Sequence, residues 1–143
     1  MRHNAPELRD LWNRLLLSQS IEVCSDKLKG CGMLDLKILK LLFQNSNYKI
    51  KDILKVLGIP NSTATNVINR LTEKELLQRK LNTIDLRSFE LELTEKGKSA
   101  VTEHLAAETI IFENMLSCLN DNEKELFVDL FRKIVSHISS ASE

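Results

Sequence analysis

Residues 59–71 read IPNSTATNVINRL. Ala64, Val67, Ile68 and Leu71 recur at i, i+3, i+4 and i+7, the spacing that lines one face of an α-helix with core residues. At about 100° per residue the opposite face carries Ser62, Asn66 and Asn69, flanked by Thr63, Thr65 and Arg70. Ser, Thr and Asn are each poorer than Lys, Arg or Glu in a helix interior by a few tenths of a kcal/mol, because their short side chains compete for the backbone. Over four or five positions the helix forgoes roughly 1–2 kcal/mol. Something other than helix stability has chosen this face.

The neighbouring sequence supplies a reason. Ile53, Leu54 and Leu57 predict a short helix over Lys51–Leu57, with Gly58 at the place of a left-handed C-cap, and Pro60 and Asn61 turn the chain into the next helix. Two short helices joined by a tight glycine turn form a helix-turn-helix pattern. In that setting Asn pairs bidentately with adenine, Ser and Thr reach base edges or phosphates, and Arg70 reaches phosphate or guanine. Downstream the chain reads LLQRKLNTIDLRSFELELT over residues 76–94. Leu77, Arg79 and Leu81 alternate, as do Phe89, Leu91 and Leu93, predicting a β-hairpin whose polar loop holds Asn82, Thr83, Asp85 and Arg87. A hairpin directly after a recognition helix is a wing, able to lay a cation into the adjacent minor groove.

Outward from this centre the pattern is helical. Leu8, Leu11, Trp12 and Leu15 predict a helix from Pro6 to about Cys24, broken by Lys29-Gly30-Cys31-Gly32. A second helix is expected over Leu34–Phe43 with Leu34, Ile38, Leu41 and Leu42 inward. Tyr48–Ile50 reads as a very short strand. Thr94 caps a long helix to about Cys118, and Asn120 with Glu123 forms a capping box for the last one. That last helix spreads Leu126, Phe127, Leu130, Phe131, Ile134, Val135 and Ile138 over about 180° of its surface, wider than the roughly 100° one core face requires. The expected cover is a second copy of the chain around a two-fold axis.

Composition sets bounds on partners. The 143 residues, 43% apolar, suit one domain with a real core. Basic and acidic residues balance at 20 each, but residues 49–98 hold 10 basic and 7 acidic side chains and residues 99–143 hold 3 and 8. The middle is thus +3 and the C-terminal part −5, as expected if one face meets an anion. No stretch approaches the roughly 18 apolar residues of a membrane span, and the N-terminus has no apolar run after its basic start, so a cytoplasmic protein with no membrane partner is expected.

The ordered set IPNSTATNVINRLTEKELLQR and IDLRSFELELTEKGK resembles the MarR (multiple antibiotic resistance regulator) family of winged-helix transcription factors. Asp85, Arg87, Leu91, Leu93, Thr94 and Gly97 stand at that family's wing spacing. The resemblance implies a mainly α fold with a small β-hairpin wing: a winged helix-turn-helix lobe over about residues 33–98, with dimerisation helices over about 1–30 and 99–143. It implies a homodimer on a palindromic double-stranded DNA operator, most often acting as a repressor. Ser62, Thr63, Thr65 and Asn66 would enter the major groove; Arg87 would reach the minor groove, its guanidinium held by Asp85. Asn69, Arg70, Arg79 and Lys80 complete the expected DNA-binding set. Many members bind a small lipophilic or phenolic effector between dimerisation helices and lobe, and release DNA. Three departures are visible. Asn66 stands where members often carry Arg, shifting base preference toward adenine; Leu86 replaces a wing residue often basic; and Glu75 replaces the usual Gly, placing a Cβ near φ > 0 at about 1 kcal/mol.

Other chemistries are poorly served. Cys24, Cys31 and Cys118 lack a C-x-x-C pair, so no disulfide framework or zinc site is indicated. Thiol-based redox sensing is an alternative, but Cys24 and Cys118 read as small core residues and Cys31 as a loop residue with no dense basic cluster. His3, His104 and His137 share no metal-ligand spacing and read as solvated helix-face residues, so no metal or other cofactor is expected. No phosphate-binding Gly loop, G-x-S-x-G or H-E-x-x-H is present, which argues against an enzyme. A winged-helix module docking another protein is the remaining alternative; Arg70, Arg79, Lys80 and Arg87 around an uncharged hydrogen-bonding helix favour DNA.

Overall fold

The computed structural model describes residues 4–18, 25–81 and 89–141. Along the chain run α1 (Ala5–Ser18), a 3₁₀ turn (Asp26–Leu28), α2 (Met33–Gln44), α3 (Ile50–Leu57), α4 (Asn61–Glu73), β1 (Leu77–Leu81), β2 (Phe89–Leu93), α5 (Glu95–Leu116) and α6 (Asp121–Ala141). The mainly helical fold with one antiparallel hairpin is the one expected. Two compact units can be described, Met1–Glu108 and Thr109–Glu143. The expected end of the first helix, near Cys24, and the wing tip with Asp85, Leu86 and Arg87 lie outside the described residues.

In the first unit, Leu28, Leu36, Ile38, Leu39, Leu42, Ile53, Val67, Ile68, Leu71, Leu77, Leu91 and Val101 form one continuous core. The helices begin and end on identifiable chemistry. Asp35 accepts the Gly32 N–H at 3.2 Å to start α2, and Asp52 accepts the Lys49 N–H at 2.8 Å to start α3. Gly58 closes α3 in the left-handed region at φ 63°, donating to the Leu54 carbonyl. Of the expected strand at Tyr48–Ile50, Tyr48 and Lys49 belong to the connection before α3 and Ile50 begins that helix. The trace of the strand is one hydrogen bond, from the Leu91 N–H to the Tyr48 carbonyl, on the edge of β2.

The end of α4 organises everything after it. Glu75 sits at φ 59°. Leu76 N–H reaches back to the Leu71 carbonyl and Glu75 N–H to the Thr72 carbonyl, both at 3.0 Å. These are the two bonds of a Schellman ending, with Leu71 and Leu76 both fully buried across it. Thr94 then stitches the start of α5 onto this turn. Its hydroxyl donates to the Glu75 carbonyl at 2.6 Å and accepts from Gly97 N–H at 3.0 Å, while its own N–H donates to the Leu76 carbonyl. Gly97 is required here, because a Cβ would stand 2.1 Å from the Leu76 carbonyl oxygen. Between these fixed points the hairpin pairs Leu77 with Leu93, Arg79 with Leu91 and Leu81 with Phe89.

In the second unit, Asn120 and Glu123 form the expected reciprocal capping box, each backbone N–H donating to the other's side chain at 2.9 and 3.0 Å. No residue of α6 is buried. Its apolar band, with Phe127 stacked on Phe131 at 6.0 Å, is about half exposed along its length. The band of α1, from Leu8 through Trp12 to Leu17, is likewise exposed. Among the described residues no helix is long and apolar enough to cross a membrane.

Three substitutions check this account by thermal or denaturant unfolding. Gly97→Ala forces the α4–α5 stitch apart and lowers stability by about 2–3 kcal/mol, whereas Gly32→Ala, whose added Cβ meets nothing within 4 Å, stays near native. Glu75→Gly relieves the left-handed strain and raises stability by about 0.5–1 kcal/mol.

Candidate nucleic-acid interface

α4 presents two chemically opposite faces. Ala64, Val67, Ile68 and Leu71 are buried at 2% exposure or less, while Ser62, Asn66 and Asn69 lie exposed and Thr63 and Thr65 sit half-buried at the edges. The face that forgoes helix propensity therefore faces outward in the folded chain.

The expected cations behave differently from one another. Arg70 is not a free cation: its Nη2 donates at 2.6 Å to Asp35 Oδ1. Asp35 is 2% exposed and Arg70 about half exposed, so the carboxylate that starts α2 also ties α4 to it. A buried carboxylate stripped of its partner is costly, so Arg70 anchors the helix. Arg79, on β1, reaches across to α4, its Nη2 donating to Asn69 Oδ1 at 3.1 Å. Lys80 is exposed and stands opposite Glu90 in the hairpin ladder. Ser62, Thr63, Thr65, Asn66, Asn69 and Arg79 thus lie together on α4 and the root of the wing. Asp85 and Arg87 belong to the stretch not described.

Three side chains differ from expectation. His104, read as solvated, is 1% exposed. Its position on α5 turns it inward, where Lys40 of α2 pairs with Glu108 through two 3.1 Å hydrogen bonds and Glu108 stands 3.9 Å from His104 Nε2. Burial pushes the imidazole pKa below its usual value of 6.5, Lys40 pushes the same way, and Glu108 opposes both. Cys31, read as a loop thiol, joins the core, with Lys74 Nζ 3.9 Å from its sulfur. Burial raises its pKa more than Lys74 lowers it, so the thiol keeps its proton. Cys118, read as a core residue, lies beyond α5 and is exposed. Sequence reasoning also missed Asp35. Its place three residues after Gly32 was the available signal, since an acidic residue there caps a helix.

On the other side of the unit, Glu103 of α5 accepts from Ser25 at 2.8 Å and from Lys27, whose Nζ also reaches Ser99 at 3.0 Å. Those bonds, Lys27 first, lower the Glu103 pKa. They dock the 3₁₀ turn onto α5.

Residues 33–89, from the start of α2 into the second wing strand, match the family model described as MarR family. The crystal structure of the YusO protein from Bacillus subtilis superposes with a TM-score of 0.69 at 26% identity, over 94% of this chain and 99% of that one. Over residues 33–89 the chain is similar to the MarR family. Similarity extends to the HTH-type transcriptional regulator YwhA of Bacillus subtilis, 27% identical over 68% of this chain and 70% of that protein. It extends also to the HTH-type transcriptional repressor MdtR of the same organism, 30% identical over 66% of this chain and 61% of that protein. The helix-turn-helix of this chain is α3 and α4, and its wing is the β1–β2 hairpin.

The buried imidazole makes a pH prediction. His104 is held neutral in the fold, whereas in the unfolded chain it takes up a proton near pH 6.5. Proton uptake therefore favours unfolding: the contribution is full above that pH and is lost as pH falls below it. Denaturant melts from pH 7.5 to 5 are expected to show a steeper loss for the native chain than for His104→Gln; parallel curves would contradict the assignment.

Proposed function

We propose that the chain is a homodimeric, sequence-specific regulator that binds a palindromic double-stranded DNA operator and represses transcription until a small lipophilic or phenolic effector releases it. The observation that carries this reading is the outward face of α4: Ser62, Asn66 and Asn69 are exposed beside Arg79 while the same helix buries four apolar residues beneath them. A helix presenting amides and hydroxyls suits the donor and acceptor code of the major groove. Thr63 and Thr65 at its margins suit phosphate oxygens, and Lys80 extends the cationic edge toward a wing tip that would carry Arg87, steadied by Asp85, into the minor groove.

The exposed apolar bands of α1 and α6 support the second copy. A partner around a two-fold axis would cover them and set two α4 helices one helical turn of DNA apart, about 34 Å. In this layout residues of about 1–30 and 99–143 dimerise and about 33–98 form the reading lobe. The effector would act by changing the distance or angle between the two α4 helices, a differential affinity for two arrangements of the same dimer.

Selection of bound duplexes from a random pool by the purified chain tests the reading. A palindromic consensus is expected, with affinity falling steeply in salt; Arg87→Ala should weaken binding and flatten the log–log salt slope by about one. Phe131→Asp with Ile134→Asp should give a monomer by sedimentation and lose operator affinity. Salt-independent association with a protein and no retention of DNA would favour a docking module.

A further inference from the structure

The two asparagines of the α4 face, three residues apart, are chemically unequal. The Asn66 side chain makes no hydrogen bond to another described residue, so both its amide oxygen and its amide nitrogen are available. Asn69 is already engaged: its Oδ1 accepts from Arg79 Nη2 at 3.1 Å. That orientation is dictated by chemistry, since a guanidinium offers only donors and no acceptor. The amide must turn its oxygen to Arg79, which leaves the NH₂ group directed away from it. An adenine edge requires both halves of the amide, oxygen to the N6 amino group and nitrogen to N7. Beside Asn69 Oδ1 a cation now stands, which repels an incoming amino donor and draws in acceptors. Every hydrogen of this pair that remains free is a donor.

We propose that Asn69 and Arg79 act as one donor-only recognition unit that takes an acceptor, either the O6/N7 edge of guanine or a backbone phosphate oxygen, while Asn66 alone reads adenine. This rests on the DNA-binding reading above and adds to it an assignment of chemical polarity along the helix: a two-way reader in its middle turn and an acceptor-seeking pair toward its C-terminal end. The unit spans the helix and the wing root, so the hairpin determines what the helix recognises. Both side chains are exposed, and Ala is the better helix former at position 69, so variants at either place keep the fold.

The test uses the native chain, Arg79→Ala and Asn69→Ala. Random-pool selection with Arg79→Ala, which frees the Asn69 oxygen, should move one position in each half-site toward adenine if the pair sits on a base and leave the profile unchanged if it sits on phosphate; an unchanged profile without a methylphosphonate loss overturns the proposal. Fluorescence anisotropy at fixed salt then compares selected duplexes carrying single 7-deazaguanine or single methylphosphonate replacements. The native chain should lose roughly 5- to 100-fold at one such replacement, and Asn69→Ala should lose little more there, because the contact is already gone. Loss at 7-deazaguanine identifies guanine as the acceptor, and loss at methylphosphonate identifies phosphate. If Asn69→Ala suffers the full additional loss at every replacement, the pair touches neither and the proposal fails while the DNA reading stands. If the native chain enriches no duplex, the DNA reading itself fails and takes the proposal with it.

Discussion

The carbonyl of Leu76 is the point on which the rest of the lobe depends. The Schellman ending of α4 aims it at the start of α5, Thr94 N–H holds it, and Gly97 leaves the space it occupies. Because Leu76 is followed at once by β1, and Thr94 directly follows β2, this single contact joins the end of the recognition helix, both roots of the wing and the start of α5. Main-chain hydrogen bonds in a buried position tolerate little displacement. The angle at which the hairpin leaves α4 is therefore set by backbone geometry, with Glu75 held at a positive φ that an ordinary side chain adopts only under constraint.

That rigidity divides the work among side chains that look alike in sequence. Arg70 and Arg79 are both cations near the reading face, yet one is tied to a buried carboxylate on α2 and the other leans on an exposed amide. The first stabilises the position of α4 and the second modifies what α4 presents. The same division separates Asn66 from Asn69. A surface designed to exchange partners needs a support beneath it that does not, and here Asp35 supplies that support from a residue outside the helix-turn-helix itself.

A comparable economy runs through α5. Within the first unit it turns Ala100, Val101 and His104 into the core and holds the 3₁₀ turn through Glu103, while Glu108 gathers Lys40 beside the buried imidazole. In the second unit no residue of α6 is buried. Apolar side chains exposed in such numbers along α1 and α6 are what a surface built to meet another surface looks like.

The periodic features were legible from the chain alone. The four buried residues of α4, its polar outer face, Gly58 as a left-handed cap, Thr94, the Asn120–Glu123 box and the two wing strands all follow from local spacing and local backbone chemistry, while the strain at Glu75 was implied by the family resemblance. Features that depend on which distant residues meet were not legible. Asp35 and Arg70 are 35 positions apart, Tyr48 joins β2 through its main chain, His104 faces inward on a long helix with polar residues on several sides, and Cys31 and Cys118 exchange the environments their neighbours suggested. Sequence spacing specifies which face of an element is apolar, because side-chain direction repeats with the backbone. It does not specify what lies against the polar exceptions on that face. Their charge, protonation and partners come from residues brought near only when the elements pack.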